Sequence, residues 1–274
     1  MLVVSELFIY PIKSLGGIPV NSAKITDRGF QYDRRWMLVD MNNCFLTQRE
    51  VPQMALLQVD FLDGGLKVQH KLKKFESPFI STALQSNETV TAPVWSDKCR
   101  VQFLSTELDE WFSDMLSVKC RLVYMPDESK RRVDSRYAAN KEVTSLSDGY
   151  PFLIIGQSSL NDLNLRLSEP LPMNRFRPNI VFTGAEPYTE DRMAQFSINN
   201  ILFYGVKLCD RCVITTTNQD NGIKASEPLK TLSSYRKKDN KIYFGQNLLH
   251  QGEGEIRIGD AISIDQLKET TFKA

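Results

Sequence analysis

Two cysteines three positions apart, in Cys209-Asp210-Arg211-Cys212, are the sharpest cluster of reactive side chains in the sequence. Three chemistries compete for them, besides a purely structural cysteine pair. A structural zinc site takes about four ligands, usually from two such pairs, and Cys44, Cys99 and Cys120 are scattered singles. A thiol–disulfide centre sets its cysteines at the start of a helix, where the dipole lowers the thiol pKa. The β-branched run Val213-Ile214-Thr215-Thr216-Thr217 instead predicts a strand after Cys212. The third reading is one functional thiolate, its charged form favoured by the neighbouring Arg211.

Three further clusters carry positive charge. Tyr10-Pro11-Ile12-Lys13-Ser14 sets Lys13 and Ser14 at the end of a first strand, before a Gly16-Gly17 turn. Asp33-Arg34-Arg35-Trp36 puts two arginines at the start of a strand. Asn174-Arg175-Phe176-Arg177-Pro178-Asn179 offers two more, alternating about Phe176 if the backbone is extended. Singly, each reads as a surface charge or salt-bridge partner. Together they suit a phosphate and a polar heterocycle, arginine by paired donors and lysine as a compact charge. No Walker or GxGxxG loop occurs, so a nucleoside triphosphate or dinucleotide has no fingerprint. With only two His in the chain, a bound metal must be held by thiolate or by a non-protein ligand.

The elements that must position these groups read as mainly β with some helix. Short apolar runs at Val3–Tyr10, Val20–Ile25, Arg35–Asp40, Met54–Phe61, Leu66–Gln69 and Thr89–Val94 are separated by turn signals such as Asp63-Gly64-Gly65. That cadence predicts an antiparallel sheet or barrel. Leu108, Trp111, Phe112, Met115 and Leu116 have helical spacing within Ser105–Leu116, with Ser105 or Thr106 as N-cap. A strand follows at Cys120–Tyr124. From Met125 to Ser145 charge replaces the apolar pattern, which predicts a solvated linker or a loop whose arginines lean over a site. The second half opens on Asp148-Gly149-Tyr150-Pro151 and a strand at Phe152–Ile155. A helix is expected over Ser158–Leu167, then strands at Asn179–Phe182, Ile201–Leu208 and Ala261–Asp265.

The 34 Lys+Arg nearly cancel the 33 Asp+Glu, which excludes a globally basic nucleic-acid coat while permitting one basic cleft. Five Cys in 274 residues argue against a secreted disulfide scaffold. The N-terminal apolar stretch lacks a preceding positive charge and is interrupted by Glu6, and no apolar run approaches the roughly 18 residues of a membrane span. The expectation is a cytoplasmic chain with no nucleic-acid or membrane partner.

The five spaced motifs, at Lys13-Ser14, Arg34-Arg35, Asp148-Gly149-Tyr150, Arg175 to Asn179 and Cys209 to Cys212, occur in an order that resembles the MOSC family. The resemblance is to members carrying an N-terminal MOSC β-barrel domain: the mitochondrial amidoxime reducing component, the bacterial YcbX-like proteins and the C-terminal part of molybdenum cofactor sulfurase. It extends to Glu227-Pro228-Leu229, Tyr235-Arg236 and Phe244-Gly245-Gln246. It implies an N-terminal MOSC β-barrel-like domain over residues 1–125 packed on a β-barrel MOSC domain over 126–274, with a molybdopterin-type molybdenum cofactor between them.

In that family the second cysteine ligates molybdenum, which falls on Cys212 here. Lys13, Ser14, Arg34, Arg175, Arg177 and Asn179 match or flank the positions that hold the cofactor's phosphate and pterin. Asp148 matches a site position, Gly149 and Tyr150 are expected to add backbone donors and shape, and Thr215 and Thr216 to set the surroundings of the ligand. Gly149-Tyr150 stands where the amidoxime-reducing proteins carry Thr-Ser. The implied activity is reduction of N-hydroxylated compounds (hydroxylamino-purines, amidoximes, N-oxides), with Cys212 and Asp148 at the reacting centre. The alternative is a non-enzymatic cofactor carrier or sulfur-transfer module. The sequence holds no C-x4-C-x2-C run, so electrons are expected from a separate flavoprotein, ferredoxin or b-type cytochrome system. Pyridoxal phosphate binding is not expected.

Overall fold

The structure is a computed structural model and describes residues 1–83, 87–138, 140–270 and 272. Seven strands close a barrel in the order Phe152–Gly156, Ile180–Thr183, Leu2–Ile9, Ala261–Leu267, Met193–Ile198, Ile201–Asp210 and Lys241–Gln251, which pairs back to Phe152–Gly156. Alternation explains the closure: Val4, Leu7, Ile154, Ile180, Phe182, Phe196, Ile198 and Phe203 turn inward and form one apolar core. Phe196 and Phe203 stack at 5.4 Å within it. Phe152–Gly156 and Ile180–Thr183 are parallel, so a crossover must join them. Helix α2, Gln157–Leu165, supplies it and packs Leu160 and Leu163 on the outer barrel face with Ile155, Val181 and Phe244.

The barrel draws strands from both ends of the chain, because Leu2–Ile9 lies between Ile180–Thr183 and Ala261–Leu267. The intervening N-terminal segment curls a four-stranded antiparallel sheet in the order Trp36–Val39, Arg121–Tyr124, Asp97–Phe103 and Thr89–Val94. Beside it lies a three-stranded sheet of Leu57–Leu62, Gly65–His70 and Ile80–Ser81. Helix α1, Thr106–Leu116, begins where Ser105 Oγ accepts from the Leu108 N–H and ends at Ser117 in the left-handed region. Its Leu108, Phe112 and Leu116 cover the core formed with Trp36, Leu57, Val59 and Leu122.

Four expectations are corrected by backbone chemistry. Val213–Thr216 is a 3-10 turn, not a strand. The hydroxyls of Thr215 and Thr216 donate to the carbonyls of Cys212 and Val213, a local pairing that outcompetes the β preference of the run. Pro52–Leu56 is also a 3-10 turn, so the strand expected from Met54 begins at Leu57. Arg177 has φ 56, so residues 174–179 are not extended and Arg175 and Arg177 do not alternate along a strand. The charged segment 125–145 is not a bare linker: Arg131–Arg132 pairs with Val143–Thr144. Among the strands that sequence reading omitted are Asp97–Phe103, Met193–Ile198, Lys241–Gln251 and Gly254–Arg257.

At Gly205 the barrel wall admits no side chain: a Cβ would lie 1.9 Å from Gln246 Nε2 and 2.0 Å from the Met193 carbonyl oxygen. Both contacts belong to a buried bridge, Gln246 Nε2 donating to the Met193 carbonyl at 2.7 Å. Gly205→Ala is expected to lower stability by at least about 1–3 kcal/mol, the usual cost of overpacking. Urea denaturation checks it, and an unchanged midpoint would show that the wall yields freely.

Candidate functional site

Where the barrel meets the curled sheet, an open cleft gathers side chains from distant parts of the chain. The first strand ends at Ile9, and Tyr10 to Leu15 turn inward as a buried loop. Ser14 there has φ 67. Lys13 Nζ donates to the Leu146 carbonyl at 2.9 Å and to Asp148 Oδ1 at 2.7 Å. Burial lowers the Lys13 pKa, opposed by the Asp148 charge. Burial would raise Asp148, yet Lys13, Arg49 and Trp95 together hold its carboxyl well below the usual carboxylate range. The carboxylate is 60% exposed, so solvent screens the pair and its contribution to stability is modest.

Asp148 is held from behind by Arg131, which donates to the carbonyls of Ser145 at 3.2 Å, Ser147 at 2.5 Å and Asp148 at 3.2 Å. Its Nε reaches Asp97 Oδ2 at 2.7 Å. This single buried guanidinium fixes the course of the backbone through residues 145–148. Ser147 Oγ donates to the Tyr150 carbonyl, closing the Asp148-Gly149-Tyr150 turn.

On another wall, Arg34 and Arg177 both lie over the Tyr10 ring, at 4.2 and 4.4 Å from its centroid. Gly17 makes room for that ring, since a Cβ there would come within 2.3 Å of it. Arg34 donates to Asp33 Oδ2 at 2.6 Å and to Asn179 Oδ1 at 3.1 Å. Asp33 is buried and also accepts from the Tyr10 N–H. Arg177 differs: no carboxylate pairs with it among the described residues, and burial pushes its pKa down to about 10. An unpaired, partly desolvated guanidinium over an aromatic face is a ready anion contact.

The Cys209–Cys212 segment completes the wall. Cys209 is the penultimate residue of the strand Ile201–Asp210, and Arg211 Nη1 donates to its sulfur at 2.9 Å. Burial pushes the Cys209 thiol up, with Arg211 opposing. Arg211 Nη2 donates to the Phe176 carbonyl, while its buried Nε–H has no partner among the described residues. Cys212 is half-buried, faces the cleft and caps the Val213–Thr216 turn. Neither cysteine is in a disulfide, and no three His, Cys, Asp or Glu residues converge as a metal site among the described residues.

Nine expected residues therefore meet at one cleft: Lys13, Ser14, Arg34, Asp148, Gly149, Tyr150, Arg177, Asn179 and Cys212. Asn179 is largely committed to structure, because its side-chain amide bonds Arg34, the Leu153 N–H and the Phe8 carbonyl. Arg175, Thr215 and Thr216 are not on the cleft wall. Arg175 is buried and donates to the Thr215 carbonyl at 2.9 Å, so it braces the turn that carries Cys212. Sequence reading missed Arg49, Thr47 and Asn247, which also line the cleft. Arg49 stands in a polar loop with no spacing to mark it.

Two family models divide the chain: the MOSC N-terminal beta barrel domain over residues 1–119 and the MOSC domain over residues 141–263. The chain belongs to the MOSC family. Among its relatives, mitochondrial amidoxime-reducing component 1 of Mus musculus and of Homo sapiens are each 32% identical, over 94% of this chain and 81% and 82% of theirs. Molybdenum cofactor sulfurase of Oryza sativa subsp. japonica is 30% identical over 96% of this chain but only 35% of its own length. No helix among the described residues is long and apolar enough to cross a membrane.

Two outcomes follow from the pairing of the arginines. Arg34→Ala leaves Asp33 buried and unpaired and is expected to cost about 3–5 kcal/mol of stability. Arg177→Ala removes no ion pair, so its melting temperature should stay close to wild type. Its affinity for inorganic phosphate should nevertheless fall by about tenfold or more. Calorimetric melting and phosphate titration of the two variants separate these effects.

The Asp148 carboxyl has a folded pKa below its unfolded value, so its stabilisation is present above about pH 4 and is lost as pH falls through the folded value. Asp148→Asn should therefore be least stable relative to wild type above about pH 5, with the gap closing under acid. A pH-independent gap in melting temperature would contradict this.

Proposed function

We propose that the chain is a molybdenum-cofactor-dependent reductase of N-hydroxylated compounds that takes its electrons from a separate protein. The observation that carries this reading is the half-buried Cys212 thiol, with Cys209 beside it, in a cleft also walled by Lys13, Arg34, Arg49, Arg177 and Arg211. The donor set fits such a cofactor. A soft thiolate suits a sulfur-rich metal centre, unpaired guanidinium suits phosphate, and the partnerless Arg211 Nε–H is an unmet donor in the same segment. The amidoxime-reducing relatives, aligned over most of both chains, add support for reduction over carriage.

In this reading Cys212 is the protein's ligand to the metal, and Lys13, Ser14, Arg34 and Arg177 hold the phosphate and pterin. The bound cofactor supplies the two-electron oxygen-atom chemistry. The chain's own residues bind and orient. Arg175, Thr215 and Thr216 set the turn that presents Cys212, and Asn179 aligns Arg34. Phe152, Leu153 and Phe176 give the cleft dry surface. Asp148, kept ionised by Lys13, presents Oδ2, whose protein contact is Arg49 at 3.5 Å, as an acceptor for an N–H or N–OH at the mouth.

Cys212→Ala is the test, in protein purified from a host that makes molybdenum cofactor. Reduction of benzamidoxime with a saturating artificial reductant is expected to fall more than about 100-fold, over about 2.7 kcal/mol of transition-state stabilisation, with pterin partly retained by the basic residues. Full activity in that variant would sink the assignment. A persulfide on Cys212 with no molybdenum in the native protein would favour the carrier or sulfur-transfer alternative.

A further inference from the structure

Trp95 carries two costs that burial does not repay. It occupies the tip of the two-residue turn between Thr89–Val94 and Asp97–Phe103, closed by the Val94–Asp97 pair. Its φ is 59, in the left-handed region where such turns favour Asn, Asp or Gly and a bulky side chain is an outlier. Its side chain is not compensated by burial, since the residue is 50% exposed. Strained backbone that persists under an exposed aromatic is characteristic of a binding position rather than of a core.

The tip is also anchored at the mouth of the cleft. Trp95 Nε1 donates to Asp148 Oδ1 at 3.2 Å, and the Arg49 guanidinium lies 4.6 Å from the ring centroid. Phe45 packs edge-on at 5.5 Å and 62°. Two residues past Trp95, Asp97 is gripped by Arg131, the same side chain that fixes the backbone of residues 145–148. The indole and the Asp148 carboxylate are thus held in register by one buried cation, which preorganises an open aromatic surface beside a charged acceptor.

We propose that Trp95 is a substrate-contact residue that selects N-hydroxylated compounds with a planar aromatic or heteroaromatic face over aliphatic ones, its indole stacking on the ring while Asp148 accepts from the attached N–H or N–OH. This rests on the reductase reading given above. Stacking of a planar ring on an aromatic side chain contributes about 1–3 kcal/mol and tolerates many ring types, so the surface defines a class rather than one compound.

The experiment compares holoenzyme of wild type, Trp95→Phe and Trp95→Ala on benzamidoxime and on acetamidoxime, which has no ring. Trp95→Ala should raise KM for benzamidoxime roughly 5- to 100-fold more than it raises KM for acetamidoxime, with the kcat ratio of the two substrates within about twofold of wild type. Trp95→Phe keeps a ring but loses the indole N–H bond to Asp148, and should retain the wild-type preference for benzamidoxime over acetamidoxime. Equal losses on both substrates would overturn the proposal, because Trp95 would then act only by supporting Arg49 and Asp148. No loss on either would overturn it too. Quenching of tryptophan emission by benzamidoxime gives a readout independent of turnover, expected in wild type and lost in Trp95→Phe. If wild type reduces neither compound, the reductase reading fails, while quenching lost in Trp95→Phe would still support an aromatic seat at Trp95. Absence of both would end both.

Discussion

Five cationic side chains share one cleft with few acids, and holding them there against mutual repulsion and desolvation is the constraint that shapes the surrounding structure. Four of them are restrained in different ways, and Arg49 lies against the Trp95 ring. Lys13 is tied to a carbonyl and to Asp148, Arg34 to a buried Asp33, and Arg211 to a carbonyl and a sulfur. Arg177 leans on the Tyr10 ring with no carboxylate partner among the described residues. The arrangement leaves net positive potential unspent inside a partly enclosed space, where low dielectric strengthens its pull on an anion. Near-neutral overall charge is compatible with this because the compensating acids lie elsewhere.

The cleft is made by both halves together. Tyr10 to Leu15 leave the barrel and run under the curled sheet, where Trp36 bonds the backbone on either side of Ile12. Gln48 and Gln219 exchange a pair of buried amide hydrogen bonds across the junction, and Gln48 also donates to the Ser14 carbonyl. Buried amides that satisfy one another are costly to separate. Cys212 on one side and Lys13 on the other therefore keep a fixed spacing.

Much of this was legible in the sequence, and the limits have physical reasons. Strands with clean alternation, such as Thr89–Val94, and the capped helix after Ser105 follow from period and cap chemistry. The Val213–Thr216 turn did not, because side-chain hydroxyls took the carbonyls that a strand would have offered. Lys13, Arg34, Asp148 and Cys212 were found because each sits in a recognisable cluster. Arg131 was visible only as one charge in a polar run, since its role depends on carbonyls 14 to 17 residues away. Trp95 and Arg49 meet across 46 residues with no local pattern to join them. Arg175 misled, because extended spacing placed it beside Arg177 whereas the turn sends it to the back of Cys212.

The position of Leu2–Ile9 between Ile180–Thr183 and Ala261–Leu267 has a consequence for how the protein is made. Leu2–Ile9 can pair at once with the nearby Ile18–Val20, whereas its two barrel neighbours, Ile180–Thr183 and Ala261–Leu267, follow much later in the chain. The curled sheet and its helix, whose partners are close in sequence, can collapse earlier. Until those barrel neighbours are present, only residues 7–9 of the first strand are paired, to Ile18–Val20, and the rest of it is an open apolar edge, a liability for aggregation that barrel closure removes. Barrel closure and assembly of the cleft are then one event, so a chain with an incomplete barrel has no site at all.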